Sequence, residues 1–321
     1  MVIKRFVYII SSILTVLAIS FYLSCRLKNE PEYNSRQWLT MGTVAVYNSY
    51  SGAVDAEAEI VRNAFDEVSG ELSVFNPSSV LSQLNDKRIL VIPADKTANT
   101  NLLKVLSFAL NVSRLTDGAF DPTINPLMRL WGFRKGTGVP QIPSDEALQK
   151  ALSKVGYQHI SISTNLDSSI TIRLVKEGLE LDLGGIAKGY AVDLAYERLV
   201  KSGATNFLIN LGGNIRVCGV PSKNRTLWSI AIRDPYNPDR TTGEVVNLAS
   251  GEAVATSGSY ERFVIIDGKR YSHIIDPRNG LPVERTDSVT VIAPSAVIAD
   301  AFSTARFVNG EESARMDLTE R

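Results

Sequence analysis

The second half of the chain limits its fold most. From Ile160 onward, short β-rich runs follow one another: SISI-type alternation, ITIRL, LELDL, NFLINL, NIRVCGV, WSIAIR, FVIID and SVTVIA. Each has the length of a strand and is rich in residues that favour one. Helical stretches interrupt them, notably Ala187 to Lys201 and Ala296 to Val308. The first half differs: after a strand-like run over Trp38 to Tyr47, Asp55 to Leu72 carries Ile60, Ala64 and Val68 at helical spacing, and Leu102 to Leu115 reads as another helix. Strand and helix do not alternate regularly, so the expectation is an α+β fold with a mainly antiparallel sheet and packed helices. A chain of 321 residues, 44% of them hydrophobic, can bury a substantial core.

The first residues read as an export segment. Lys4 and Arg5 precede an uncharged apolar run from Phe6 to Leu23, and Leu23-Ser24-Cys25 resembles the end of a bacterial lipoprotein signal, although Tyr22 stands where such signals usually carry Leu. Residues 1–25 are therefore read as a signal with Cys25 as the lipidation site; an uncleaved signal-anchor helix is the alternative. Residues 26–36, polar and containing Pro31, read as a tether, residues 37–310 as the folded domain and residues 311–321 as a polar tail. Either reading places the body outside the cytoplasm, held at a membrane. Lys+Arg and Asp+Glu both total 34, so no net charge steers the chain to nucleic acid. With Cys25 lipidated, Cys218 has no disulfide partner and reads as a buried strand thiol. The two histidines, His159 and His273, and the two cysteines form no zinc pattern.

Four segments hold residues suited to chemistry. The stretch LDLGGIAKGYAVD, Leu181 to Asp193, reads as a strand end, a Gly184-Gly185 turn and a helix start, where backbone N–H groups favour an anion. It completes neither GxGxxG nor a P-loop, so a plain tight turn explains it equally well. In ADAFST, Asp300, Ser303 and Thr304 share one helix face, a hard-oxygen set suited to magnesium; helix capping and back-bonding of the hydroxyls would also account for them. In RYSHIIDPRNG, His273 ends a strand beside a turn-rich loop, positioned to shuttle a proton or simply to serve the structure. The proline-bounded segment TDGAFDPTINPL, followed by LWGF, would suit a planar heterocycle or the packing of Trp131 and Phe133. His159 has nothing reactive beside it in sequence and reads as structural.

Taken in order, TMGT, FNPSSVLSQLN, GAFDPTINPLMRLWGF, LDLGGIAKGYAVD, LINLGGNIRVCG, VATSGSYERF, YSHIIDPRNG and SVTVIAPSAVIADAFSTA closely resemble the ApbE family of FAD:protein FMN transferases, over nearly the whole span from Gln37 to Gly310. The resemblance implies a magnesium-dependent, exported and often lipidated enzyme that cleaves FAD, transfers FMN to a Thr or Ser hydroxyl of a partner protein and releases AMP. It implies FAD contacts at Met41, Phe75, Ala119, Phe120, Asp121, Asp182, Lys188 and Ile275. Magnesium would be held by the Gly185 carbonyl, Asp300 and Thr304, with Ser303 where some relatives carry a second carboxylate, and His273 would be the base. The acceptor would be an exported flavoprotein with an [ST]-G-A-[ST]-type sequence. Phe75 stands where many members have Tyr, and Ser259 where SGDYER is common. Members usually continue with another helix and a closing strand, so the final strand is expected to be missing and a sheet edge left unpaired. FAD hydrolysis to FMN and AMP, or flavin carriage without catalysis, are the alternative activities. Ser202-Gly203-Ala204-Thr205 looks like an acceptor sequence but is read as a turn, since Gly is the usual stop after a helix.

Overall fold

The computed structural model describes residues 34–316 apart from 51–52, 135–139, 223, 235–236, 238–239 and 286. The expected export segment, Cys25 and the tether before Asn34 lie outside the described residues. Among those described, no helix is long and apolar enough to cross a membrane.

In chain order the first half runs β1 (Asn34–Thr40), β2 (Thr43–Ser49), α1 (Val54–Leu72), α2 (Val80–Lys87), β3 (Ile89–Ile92), α3 (Asn101–Leu115), α4 (Asn125–Leu130), α5 (Asp145–Leu152), β4 (Ile160–Thr164) and β5 (Ile170–Leu174). The second half continues with α6 (Ala187–Lys201), β6 (Phe207–Leu211), β7 (Asn214–Cys218), β8 (Trp228–Arg233), β9 (Thr241–Leu248), β10 (Ala253–Gly258), β11 (Phe263–Ile266) and β12 (Lys269–Ser272). It closes with β13 (Ser288–Ala293), α7 (Ala296–Asn309) and β14 (Ala314–Arg315). Seven strands form the central sheet in the order β1-β2-β6-β7-β10-β13-β14. Every neighbouring pair is antiparallel except β13 and β14. This is the α+β architecture expected from the sequence.

Strand alternation divides the core between the two faces of that sheet. Phe207, Ile209 and Leu211 of β6, Ala253 and Ala255 of β10, and Val289 and Val291 of β13 point into the main core with the helices, where α1 packs on α6, α6 on α7, and α7 on β10 and β13. Leu208, Val254 and Ile292 point the other way and meet Trp228 and Leu248 of the β8–β9 ribbon. A third apolar cluster, with Leu127, Trp131 and Phe133, lies against Ile266 of β11 and Ile275.

Three expectations change. Asn34 to Arg36, read from the sequence as tether, belong to a strand, because Asn34–Thr40 pairs along its whole length with β2. LELDL keeps its alternation, with Leu179, Leu181 and Leu183 fully buried, but it joins no ladder beyond a single bridge from Glu180 to Ile124. The amide of Asn85 takes the place of a neighbouring strand, accepting from the Leu181 N–H at 2.7 Å and donating to its carbonyl at 2.9 Å. Finally, a short strand follows α7. β14 is two residues long and pairs with β13, Met316 N–H donates to the Ile292 carbonyl at 2.8 Å, and the Ser313 hydroxyl accepts from Thr290 N–H at 2.9 Å. The edge expected to stand open is thus covered in part, at Val291 and Ile292, by a segment the sequence reading placed in the polar tail.

Candidate active site

Two tight hairpin tips mark one end of the sheet. Met41 and Gly42 join β1 to β2 with φ of 48° and 74°, and Gly212 and Gly213 join β6 to β7 with φ of 58° and 90°. Successive positive φ values give the turn twist that two-residue hairpins favour. The tips adjoin, because the Gly212 N–H donates to the Val44 carbonyl at 3.1 Å. β10 ends at the same side with Ser257 and Gly258. Beyond it the chain passes through Glu261 and Arg262 into the β11–β12 hairpin, which returns it at His273.

Below this end lie α6 and α7. Gly189 of α6 lets them touch: a Cβ there would lie 2.3 Å from the Ala296 carbonyl oxygen and 2.7 Å from the Asp300 Cβ. The contact also fixes a carboxylate, since the Gly189 N–H donates to Asp300 Oδ2 at 2.9 Å while Oδ1 stands 3.7 Å from Lys188 Nζ. Gly185 brings the turn before α6 to the same place; a Cβ on it would meet the Thr304 hydroxyl at 3.6 Å and the Phe120 ring at 3.2 Å. Asp300 is thus no helix cap; it sits within α7 and is held by α6. Of the two neighbouring hydroxyls, Ser303 is fully buried, donates to the Asp300 carbonyl at 3.0 Å and shares a 2.9 Å hydrogen bond with Ser257. Thr304 is partly exposed and stands against Gly185. Carboxylate, hydroxyl and turn backbone make a hard-oxygen set, which suits a hard cation. No group of three or more His, Cys, Asp or Glu gathers among the described residues.

The loop residues expected at the site divide into two groups. Lys188 and Phe75 are open to it: Lys188 Nζ lies 3.4 Å from the Gly184 carbonyl, and the Phe75 ring is 54% exposed. Arg134 and Arg262 flank that ring at 5.2 and 5.9 Å from its centroid. Met41 sits half-buried at the hairpin tip. The remainder are committed to the protein. Asp121 is buried and accepts from Thr123 N–H and hydroxyl and from Tyr157 N–H, fixing the GAFDP loop; burial raises its pKa. Ala119 and Phe120 pack in the main core and Ile275 in the third cluster. Asp182 accepts from Gly184 N–H at 2.7 Å and forms a buried ion pair with Arg134. Arg134 also donates to Asn125 at 2.8 Å, and burial draws its pKa down to about 10.

His273 has a defined tautomer. Its Nδ1 lies 2.9 Å from the Arg262 carbonyl, which can only accept, so Nδ1 carries the proton and Nε2 keeps its lone pair. The half-buried imidazole is walled by protein, and this desolvation lowers its pKa to about 4, with Lys188, Arg262 and Arg134 acting in the same direction. It is therefore neutral near pH 7. Glu261 keeps contact with solvent, yet the surrounding protein raises its pKa against the pull of Lys188 and Arg233.

Arg134, Arg262, Glu261 and Ser257 carry no role in the sequence reading. The signals were present, a charged residue closing the aromatic LWGF run and two more in SGSYER, but neither had a partner in sequence to give it meaning. His159 lies in a short helical turn, and Ser202 to Thr205 form the expected turn, with Gly203 at φ 89° and Ala204 N–H bonded to the Leu199 carbonyl.

A neutral imidazole, three cationic side chains and a hard-oxygen set around one end of the sheet make an arrangement suited to an anionic ligand. The chain matches the family model described as ApbE family over residues 40–321, and it belongs to that family. It is 31% identical over 309 residues to the FAD:protein FMN transferase of Escherichia coli K12, covering 92% of this chain and 85% of that one. It is 35% identical over 279 residues to the Vibrio cholerae enzyme of the same name, covering 85% and 80%. Among solved structures it resembles the ApbE protein of Thermotoga maritima, with a TM-score of 0.75, 33% identity and coverage of 86% and 87%. The flavinyl transferase ApbE of Pseudomonas stutzeri matches with a TM-score of 0.72, 30% identity and coverage of 87% and 85%.

Proposed function

We propose that this protein transfers FMN from FAD to a Thr or Ser hydroxyl of an exported acceptor protein, releasing AMP, with Mg2+ bound and His273 as general base. The observation that carries the reading is the fixed tautomer of His273, because an unprotonated Nε2 amid cations is what a weak hydroxyl nucleophile beside a diphosphate requires. The acceptor oxygen attacks the FMN phosphorus as its proton passes to Nε2. The P–O bond to the AMP moiety breaks, and AMP leaves with the bridging oxygen. Lys188 neutralises charge on the diphosphate, and the open ring of Phe75 offers a stacking face to a planar ring of the substrate. Arg134, held by Asp182, and Arg262, whose carbonyl orients the imidazole, both stand against that ring. Asp300, Thr304 and the Gly185 carbonyl would hold Mg2+, which would supply electrostatic stabilisation of the phosphate charge.

The export segment with Cys25 supports a place on the outer side of the cytoplasmic membrane, with an exported flavoprotein bearing an [ST]-G-A-[ST]-type sequence as partner. The test is to incubate the soluble body with FAD, Mg2+ and such a partner. Flavin fluorescence that survives denaturing electrophoresis is expected, and its loss in His273→Ala while FAD binding persists. AMP formed without any labelled partner would mean hydrolysis in place of transfer, and neither AMP nor label would mean flavin carriage alone.

A further inference from the structure

One buried carboxylate near the site takes no part in the proposed chemistry. Asp193 stands one turn after Gly189 on the same face of α6, and both meet α7. The first helical residues of α7 get no cap from Ser295. Their N–H groups turn instead to Asp193: Ala296 N–H donates to Oδ1 at 2.8 Å and Val297 N–H to Oδ2 at 2.9 Å. Arg216 holds the carboxylate from β7, its Nη1 donating to Oδ1 at 2.7 Å. The same guanidinium donates to the Pro294 carbonyl at 3.2 Å and to the Gly251 carbonyl at 3.1 Å, and lies 3.9 Å from the centre of the Tyr196 ring.

These contacts form a clamp with two rungs. Asp193 grips the start of α7, and one turn further on the Gly189 N–H grips Asp300 Oδ2. Two rungs one turn apart fix both the rotation and the axial position of α7, which a single rung would not. We infer that Asp193 is a positioning residue for the cation set: it sets where α7 presents Asp300 and Thr304 to Gly185. This rests on the cation reading of those residues.

The test is direct binding of Mn2+, followed by electron paramagnetic resonance, to the wild-type protein, Asp300→Ala, Asp193→Asn and Arg216→Gln, each checked for folding by circular dichroism. In Asp193→Asn an amide N–H2 replaces one accepting oxygen, so one of the two α7 bonds is lost. Mn2+ affinity is expected to fall about 10–100-fold, the range for residues that orient a metal ligand. Arg216→Gln leaves both bonds to α7 in place and is expected to weaken binding less, in the same direction; it decides the matter should Asp193→Asn not fold. Wild-type Mn2+ affinity in either folded variant, even at a lowered melting temperature, overturns the inference, because the carboxylate would then serve stability alone. Absence of Mn2+ binding in the wild type, or its persistence in Asp300→Ala, refutes the cation site itself and the clamp's role with it.

Discussion

Replacing Gly189 by Ala tests the helix contact beneath the site, because two physical effects predict opposite signs. Helix propensity favours Ala over Gly by about 1 kcal/mol in a helix interior. Packing opposes it, since the new Cβ would lie 2.3 Å from the Ala296 carbonyl oxygen and 2.7 Å from both the Ala296 carbonyl carbon and the Asp300 Cβ. Ordinary contacts begin near 3.5 Å, so the helices must part by about 1 Å. Two of the three atoms are backbone and cannot rotate away, which puts the cost at about 3 kcal/mol, the upper end for overpacking. The net loss is then about 2 kcal/mol, a fall in melting temperature of roughly 4–8 °C. An α7 displaced by about 1 Å also carries Asp300 and Thr304 away from Gly185, and a shift of that size costs catalysis about 100-fold. Gly70 is the internal control: it lies in α1 with nothing within 4 Å of its Cβ position, so Gly70→Ala is expected to raise stability by up to about 1 kcal/mol. Thermal melts followed by circular dichroism, with transfer rates beside them, read both variants. A Gly189→Ala protein that melts at or above the wild type and turns over normally would refute the close approach of α6 and α7.

His273, with a folded pKa near 4 against an unfolded value near 6.5, favours the folded state in its neutral form, so its contribution is present above about pH 6.5 and is lost as pH falls toward 4. Urea melts of wild type and His273→Gln should diverge above pH 6.5 and converge near pH 4, and the acid limb of kcat/KM should lie near pH 4; a limb at 6.5 would show that burial and the three cations do not act on the imidazole. Arg134→Met leaves Asp182 buried without its cation, and about 3–5 kcal/mol of stability should be lost on denaturant unfolding at neutral pH; a loss under 1 kcal/mol would mean that water reaches the carboxylate. Phe75→Ala should weaken FAD binding about 5-fold by calorimetry, corresponding to about 1 kcal/mol of stacking, while Phe75→Tyr should bind as the wild type does. Equal affinity in all three would remove Phe75 from the flavin site.

Much of this molecule was readable from local pattern. The β-rich runs NFLINL and SVTVIA located β6 and β13, and helical spacing located α1, α3, α6 and α7 to within a residue or two, because those patterns are written in contiguous residues. The motif order identified the family for the same reason: each motif is a short local sequence, and co-linearity needs no coordinates. What the sequence could not assign were choices made by partners far along the chain. Leu179 to Leu183 alternates like a strand, but Asn85 rather than a strand completes its backbone bonds. Ser303 and Thr304 are adjacent hydroxyls that both meet Ser257, and burial alone separates them, closing Ser303 off and leaving Thr304 partly open. Asp182 and Ile275 look accessible beside their motifs, yet Arg134 and the third apolar cluster engage them. Asp193 ends the LDLGGIAKGYAVD stretch, but its role exists only where α6 and α7 meet, across 103 residues of chain. Periodicity is a property of neighbours in sequence, and so it survives without a fold; the satisfaction of a buried polar group is a property of neighbours in space, and only the tertiary structure supplies them.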